Sequence, residues 1–390
     1  MLVVIVSVVM LGCNSNWAKE MNGGGVTVSY REGGNITIRA RSLVIRLSPQ
    51  HALSTSLLEN GRELSLNNQT PEANTEPSDY VTAGGKDIQN FAIQYPRLAL
   101  QQASTRLGDC ERVIVPSIAS GGGLRLERVL NIDLCPSFPQ SAVFTATYKN
   151  LGSSALQISR VVQVSQTIEP PNKEPKGLWT FQGVSMLWGR DTVFALPASF
   201  RAENSMGQMI AEGNGARMPA DDHSQGNGGG IPVNDYWDGE MGLASGHIEP
   251  EAVACWIPVE THGDHRTRTY LETRPQEALA PGESFTTPRG FVTVHRGDFY
   301  EPLATYRAML QAQGVTFLKY SESLYLPIWW TYAFGHNFRP AEVYNSIPKF
   351  KELGIGWLFL NNRWWDHYGD WMPRLDKFGS EAGYSDEGVQ

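Results

Sequence analysis

The chain has 390 residues and a formal net charge of -8, with 41% hydrophobic and 18% charged residues. That length exceeds one typical domain, so two or more are expected, and the balance is that of a globular rather than a disordered chain. The acidic charge argues against a nucleic-acid partner, because phosphate binding needs clustered Lys and Arg.

The N-terminus, Met1 to Cys13, is an apolar run too short to span a bilayer as a helix and suited to the apolar segment of a secretory signal. Leu11-Gly12-Cys13 followed by Asn14-Ser15 resembles a bacterial lipoprotein cleavage site, which would lipidate Cys13 and attach the chain to a membrane. The same run is also compatible with an ordinary strand. The expectation is a signal over residues 1–20 and an exported protein, periplasmic or at the cell surface. Cys110 and Cys135 fall in neighbouring strand-like segments, where spacing leaves both a disulfide and buried thiols open. Four cysteines without a C-x-x-C pair or clustered His give no metal signature, and neither a metal nor another cofactor is expected.

From Val26 the pattern has period two. Val26, Val28 and Tyr30 alternate with polar residues, followed by Ile36 and Ile38, then Leu43, Ile45 and Leu47, with turn signals such as Gly33-Gly34-Asn35 between them. Asn67 to Lys86 is rich in Pro, Thr, Asn and Glu and reads as a long surface loop. Further strands are expected at Val113–Val115, Leu124–Ile132, Ala142–Tyr148 and Leu156–Val164. Strands at this spacing without helical patterns between them predict an antiparallel β-sandwich over residues 21–298. Within it, Asp221 to Gly230 reads as a loop without phosphate-cradling spacing. Ile231–Asp238 and Gly242–Pro250 mix polar and aromatic residues; they read as an ordinary strand pair in preference to a ligand site.

The pattern then changes. Phe299–Gln313 has helical spacing and Gly314 stops it, so residues 299–324 read as a helical linker. Ile328–Phe334 and Trp357–Leu360 are short continuous apolar runs, the pattern of strands buried on both faces. Pro340 opens a helix with Val343, Ile347 and Phe350 on one face, ended by Gly354. Strand, helix, strand with such short connections is a βα unit of a parallel sheet or barrel.

The second strand leads into Asn361-Asn362-Arg363-Trp364-Trp365-Asp366 and then Gly369-Asp370-Trp371. Polar groups at the carboxyl end of a parallel strand are where barrel enzymes bind substrates. Flat rings beside hydrogen-bonding groups suit a sugar, which offers an apolar C–H face and a rim of hydroxyls. Leu360-Asn361-Asn362-Arg363-Trp364 with Gly369-Asp370-Trp371 resembles the start of the catalytic barrel in bacterial α-galactosidases (melibiases) of glycoside hydrolase clan D. There the second barrel strand typically reads Leu-Asp-Asp-Gly-Trp, and a loop with Gly-Asp-Trp follows. The motif match is confined to residues from about 325 to 390; the sandwich ahead of the barrel matches in architecture only.

The resemblance implies an N-terminal β-sandwich followed by the first βα units of a (β/α)8 TIM barrel, truncated, over residues 325–390. It implies a retaining glycosidase acting on α-linked, galactose-like sugars, with an oligosaccharide or glycoside as its partner. Asn361, Asn362, Trp364, Asp370 and Trp371 would line the sugar subsite. The family's catalytic aspartates lie on later strands, so no catalytic residue is expected in these 390 residues, which read as part of a longer protein. Asp366, Asp370 and Asp376 invite an acid role, but for at least Asp376 a solvated loop carboxylate is the expected state. The asparagine pair departs from the family's aspartates: aspartate only accepts hydrogen bonds, whereas asparagine also donates, and it carries no charge. The alternative is a non-catalytic carbohydrate-binding or surface protein. Oligomeric state is not legible.

Overall fold

The computed structural model describes residues 18–66, 76–169, 177–183, 193–196, 200–202, 205–206, 230–251, 253–261, 266–334 and 340–360. Cys13 and the signal-like run lie outside the described residues, as do Asn361, Asn362, Trp364, Asp370 and Trp371. The chain divides into two compact units, one ending at Val315 and one beginning at Thr316. It is mostly sheet, with few helices.

The first unit begins with a six-stranded antiparallel meander running in sequence order from Lys19–Gly23 to Arg62–Leu64. The period-two reading holds here in detail. Val26, Val28, Ile36 and Ile38 are buried, and the polar residues between them are not, because successive side chains on a strand point to opposite faces. Gly24 and Gly25 link the first two strands with φ of 51° and 87°. A two-residue turn with both φ positive twists in the sense of the flanking strands.

Two larger antiparallel sheets follow. One carries, side by side, Ala99–Thr105, Gly108–Gly121, Leu124–Leu134, Ser141–Asn150, Gly290–Arg296, Met241–His247, Val233–Trp237, Trp179–Gln182 and Val193–Ala195. The other is built around Leu156–Ile168, with Thr267–Thr273 on one side and Tyr80–Ala83 on the other. All three sheets contribute to one core, with Ile38 and Ile45 from the meander, Leu130, Phe144 and Val292 from the first large sheet, and Val161 and Leu271 from the second. Each such side chain contributes about 1.5–3 kcal/mol when fully buried.

The expected long loop over Asn67–Lys86 is only partly a loop. Tyr80–Ala83 and Lys86–Ile88 are strands paired antiparallel, with Val81 opposite Ile88. Gly84 and Gly85, at φ 57° and 76°, form the tight turn between them. Composition suggested a loop, whereas the buried pair Tyr80-Val81 and a two-glycine turn make a hairpin.

Cys110 and Cys135 form a disulfide, and Cys255 is a buried free thiol. The bridge lies one step past the cross-strand pair Glu111↔Leu134, so it clips the end of that ladder. The helix α1 (Tyr300–Ala312) packs its Leu303, Tyr306 and Met309 against Val143, Val233, Ala244 and Phe291 on the outer face of the first large sheet. The predicted linker over 299–324 therefore divides: its helix is part of the first unit, which extends past residue 298 to Val315.

Candidate functional site

The second unit contains the elements that lead to the predicted sugar subsite. Ile328–Trp330 pairs in parallel with Trp357–Phe359, in the register Ile328↔Trp357, Trp329↔Leu358 and Trp330↔Phe359. Parallel strands cannot be joined by a tight turn, and the helix α2 (Pro340–Glu352) supplies the crossover. Gly354, at φ 70°, ends it, with Ile355 N–H donating to the Phe350 carbonyl at 2.9 Å. Next, Gly356 N–H donates to the Pro327 carbonyl at 3.0 Å. A side chain at Gly356 would land on Leu326, so the close approach of these two segments requires glycine. The Trp357 indole N–H donates to the Ser323 carbonyl, tying the second strand to the turn before the first.

The two faces of this strand pair differ. Trp329 packs on Phe350 of α2, with ring centroids 4.6 Å apart. Cross-strand partners share a face, so Trp329 and Leu358 are the helix side. The other side presents Ile328, Trp330, Trp357 and Phe359, exposed by 60%, 47%, 42% and 55%. There Trp330 and Phe359 meet edge to face, with centroids 5.5 Å apart. The expectation that both strands are buried on both faces is thus not met among the described residues: α2 packs on Trp329, while Leu358 on the same side remains 36% exposed. The first run also ends sooner than predicted, because pairing stops at Trp330 and Thr331–Phe334 is a 3-10 turn.

Both strands run in the same direction, so Trp330 and Phe359 stand at the same, carboxyl-terminal edge. Asn361 follows Phe359 by two residues in the sequence. The structure describes the strand that leads to Asn361, Asn362, Trp364, Asp370 and Trp371, while those side chains lie outside the described residues. Trp330 and Phe359 were not singled out from the sequence. Three-residue strands are too short for alternation to show which ring faces which side.

The first unit contains two buried polar clusters that sequence reasoning also missed. Arg128 Nη1 donates to the Asp79 carbonyl at 2.6 Å, Arg128 Nε donates to Ser117 Oγ at 3.2 Å, and Arg128 Nη2 donates to His51 Nδ1. His51 Nε2–H in turn donates to the Phe91 carbonyl at 3.0 Å. The ring is therefore neutral; burial, reinforced by the Arg128 charge, pushes its pKa well below the usual value. In the second cluster, His295 Nε2 donates to Asp235 Oδ1 at 2.9 Å and Nδ1 donates to the Arg296 carbonyl at 3.1 Å. Two acceptors facing the ring favour the imidazolium, while burial pushes the Asp235 carboxyl above its usual range. Burial opposes the charge, but the hydrogen bond and charge of Asp235 hold the His295 pKa above its ordinary value.

His51, Arg128, Asp79, Asp235 and His295 are all essentially inaccessible. A substrate cannot reach them, so they fix the packing from inside the fold, with Asp79 Oδ1 and Asp235 Oδ2 left without a hydrogen-bond partner among the described residues. The pair Val233–Trp237 and Met241–His247 that delivers Asp235 is an ordinary antiparallel ladder, as the sequence reading preferred. Arg128 had a signal: it shares strand parity with Leu126 and Leu130, both core residues.

No family model matches the chain. It is 21% identical over 308 residues to an A type blood alpha-D-galactosamine galactosaminidase of Flavonifractor plautii, covering 77% of this chain and 26% of that protein. Among solved structures it is similar to the GH36 alpha-galactosidase AgaB of Geobacillus stearothermophilus, with TM-score 0.48 and 15% identity over 90% of this chain and 53% of that one. It is also similar to the alpha-galactosidase of Lactobacillus brevis, with TM-score 0.49 and 14% identity over 94% and 52%. The chain thus spans about a quarter of the curated relative and about half of each solved structure.

Proposed function

We propose that the chain belongs to a retaining glycoside hydrolase that removes terminal α-linked, galactose-like sugars. In this reading the antiparallel sheets form an N-terminal β-sandwich, and residues from about 325 are the first βα units of a (β/α)8 catalytic barrel. The observation that carries it is the parallel pair Ile328–Trp330 and Trp357–Phe359, whose second strand leads straight into Asn361-Asn362 and Gly369-Asp370-Trp371. Asn361, Asn362 and Asp370 bind sugar hydroxyls, while Trp364 and Trp371 offer rings to the C–H face. Trp330 and Phe359 extend the aromatic wall beside them. None of these groups is assigned the nucleophile or acid/base role, which retaining hydrolysis gives to two carboxyl groups about 5 Å apart. The disulfide between Cys110 and Cys135 suits an oxidising compartment and supports export, with Cys13 as the lipid attachment point.

The test is hydrolysis of aryl α-galactosides and α-galactosaminides by the intact protein, compared with its Trp371→Ala variant. Turnover in the parent and loss of about tenfold or more in affinity for the sugar in the variant, roughly 1.4 kcal/mol, are expected. Sugar binding without turnover selects the non-catalytic carbohydrate-binding reading. A folded variant that binds sugar as the parent does removes Trp371 from the site.

A further inference from the structure

Among the described residues the dipeptide Asn-Gly occurs twice, at Asn22-Gly23 and at Asn60-Gly61. Asparagine is a chemically fragile residue, and most so before glycine. The backbone nitrogen of the following residue attacks the side-chain carbonyl carbon, and a residue without a Cβ hinders that approach least. The structure treats the two pairs in opposite ways. Asn22 lies in the strand Lys19–Gly23, directly opposite Thr27. Its Nδ2 donates to Glu20 Oε1 at 2.8 Å and its Oδ1 accepts from Thr27 Oγ1 at 2.7 Å. Both ends of the amide are held, and Gly23 is itself paired with Val26.

Asn60 and Gly61 instead form the two-residue turn between Leu53–Glu59 and Arg62–Leu64, closed by the pair Glu59↔Arg62. Their φ values of 49° and 75° are those of the tight hairpin turn that favours Asn-Gly. Asn60 is exposed, and its side chain has no partner among the described residues. The space beside Gly61 is open, since a Cβ there would meet nothing within 4 Å. Attack on the Asn60 side chain requires rotation about its Cα–C bond, so the turn must first open. Arg62–Leu64 is a three-residue strand at the end of the meander with one neighbour, and such edges open locally at low cost.

We propose that Asn60 is a site of spontaneous deamidation and that the hydrogen bonds of Asn22 protect the second pair. The Gly61 amide nitrogen bonds to Asn60 Cγ, the Cγ–Nδ2 bond breaks, and the side-chain amide leaves as ammonia, carrying the proton that the Gly61 nitrogen gives up. Water then opens the cyclic imide, its hydroxyl going to one carbonyl carbon and its proton to the imide nitrogen. The product is aspartate or isoaspartate, with no change of oxidation state. Either product adds a carboxylate next to Glu59, whose Oε2 accepts from Arg296 Nη2 at 2.6 Å. That ion pair ties the meander to the strand Gly290–Arg296 of the first large sheet. Isoaspartate also lengthens the main chain by one carbon, which the pairing of Glu59 with Arg62 across a two-residue turn does not accommodate.

The experiment ages the intact protein in mildly alkaline buffer, native and in parallel unfolded in urea, and follows the amide-to-carboxyl mass change by tryptic peptide mapping. Cleavage after Lys19, Arg31, Arg46 and Arg62 separates the two sites into peptides 20–31 and 47–62, apart from Asn214-Gly215 and Asn227-Gly228. In the native protein, peptide 47–62 is expected to convert at least about tenfold faster than peptide 20–31, the ratio that a difference of roughly 1.4 kcal/mol in local opening gives. In urea the two are expected to convert at similar rates, because the dipeptide is the same. Thr27→Ala frees the Asn22 carbonyl and is expected to speed conversion of peptide 20–31 alone. Equal native rates, faster native conversion of Asn22, or an Asn60 that stays intact while the unfolded chain converts overturns the proposal.

Discussion

The two units treat their aromatic residues in opposite ways. In the first, Phe144 is inaccessible and lies in a core shared by three sheets. In the second, Phe359 is 55% exposed and, among the described residues, meets the edge of Trp330. Both are phenylalanines on strands. What separates them is closure: the first unit buries Phe144 in a core built by three sheets, whereas among the described residues of the second α2 packs on Trp329 and leaves Phe359 exposed. Buried rings define a fold, and exposed rings at the carboxyl edge of parallel strands are available for recognition.

The sharpest way to break that contrast is to make one substitution in both places. Phe144→Ala is expected to destabilise the first unit by about 3–5 kcal/mol through lost burial and a cavity. Phe359→Ala is expected to cost under about 1 kcal/mol while weakening sugar binding. Urea unfolding with hydrogen exchange followed peptide by peptide assigns each loss to its unit. Equal losses at the two sites would mean that Phe359 is covered in solution.

The disulfide sharpens the contrast from another side. Replacing Cys110 and Cys135 by Ser opens a loop of sequence separation 25 and is expected to cost about 3 kcal/mol. The loss should appear in peptides from the first unit and leave exchange in residues 340–360 unchanged. A uniform loss across both units would contradict their independence.

The smallest effect is that of pH, and it is confined to the first unit. The His295 pKa is raised in the fold, so its contribution is fully present below the ordinary value of 6.5 and is lost as pH rises through the folded value. His51 acts in the reverse sense. Its folded pKa is lowered, so its contribution is present above 6.5 and is lost as pH falls toward the folded value. Asp235→Asn is expected to remove the alkaline limb of the stability profile and leave the acidic limb. An alkaline limb that survives Asp235→Asn would assign it to another group.

Strands buried on one face were easy to read, because alternation records which side is dry; Val26, Val28, Ile36 and Ile38 needed nothing more. The helix α1 was legible as a helix, but its place on the first unit depends on Tyr306 meeting Phe291, a contact between residues that local pattern does not connect. Continuous apolar runs at Ile328 and Trp357 said that cover was wanted without saying what supplies it. The sugar subsite was legible only as a resemblance carried by Asn361-Asn362 and Gly369-Asp370-Trp371. The buried cluster around Arg128 left a fainter trace: a charged residue at a parity otherwise held by Leu and Ile, a break in pattern easily read as noise.

Gly242 carries a consequence of its own. It stands directly opposite His295 on the neighbouring strand, and any side chain there would occupy the space of the imidazole ring. The ring crosses that bare backbone to reach Asp235. Positions 242 and 295 therefore cannot vary independently. A side chain at 242 requires the His295 ring to shift off that backbone or to be replaced by a smaller residue, so geometry couples the two positions.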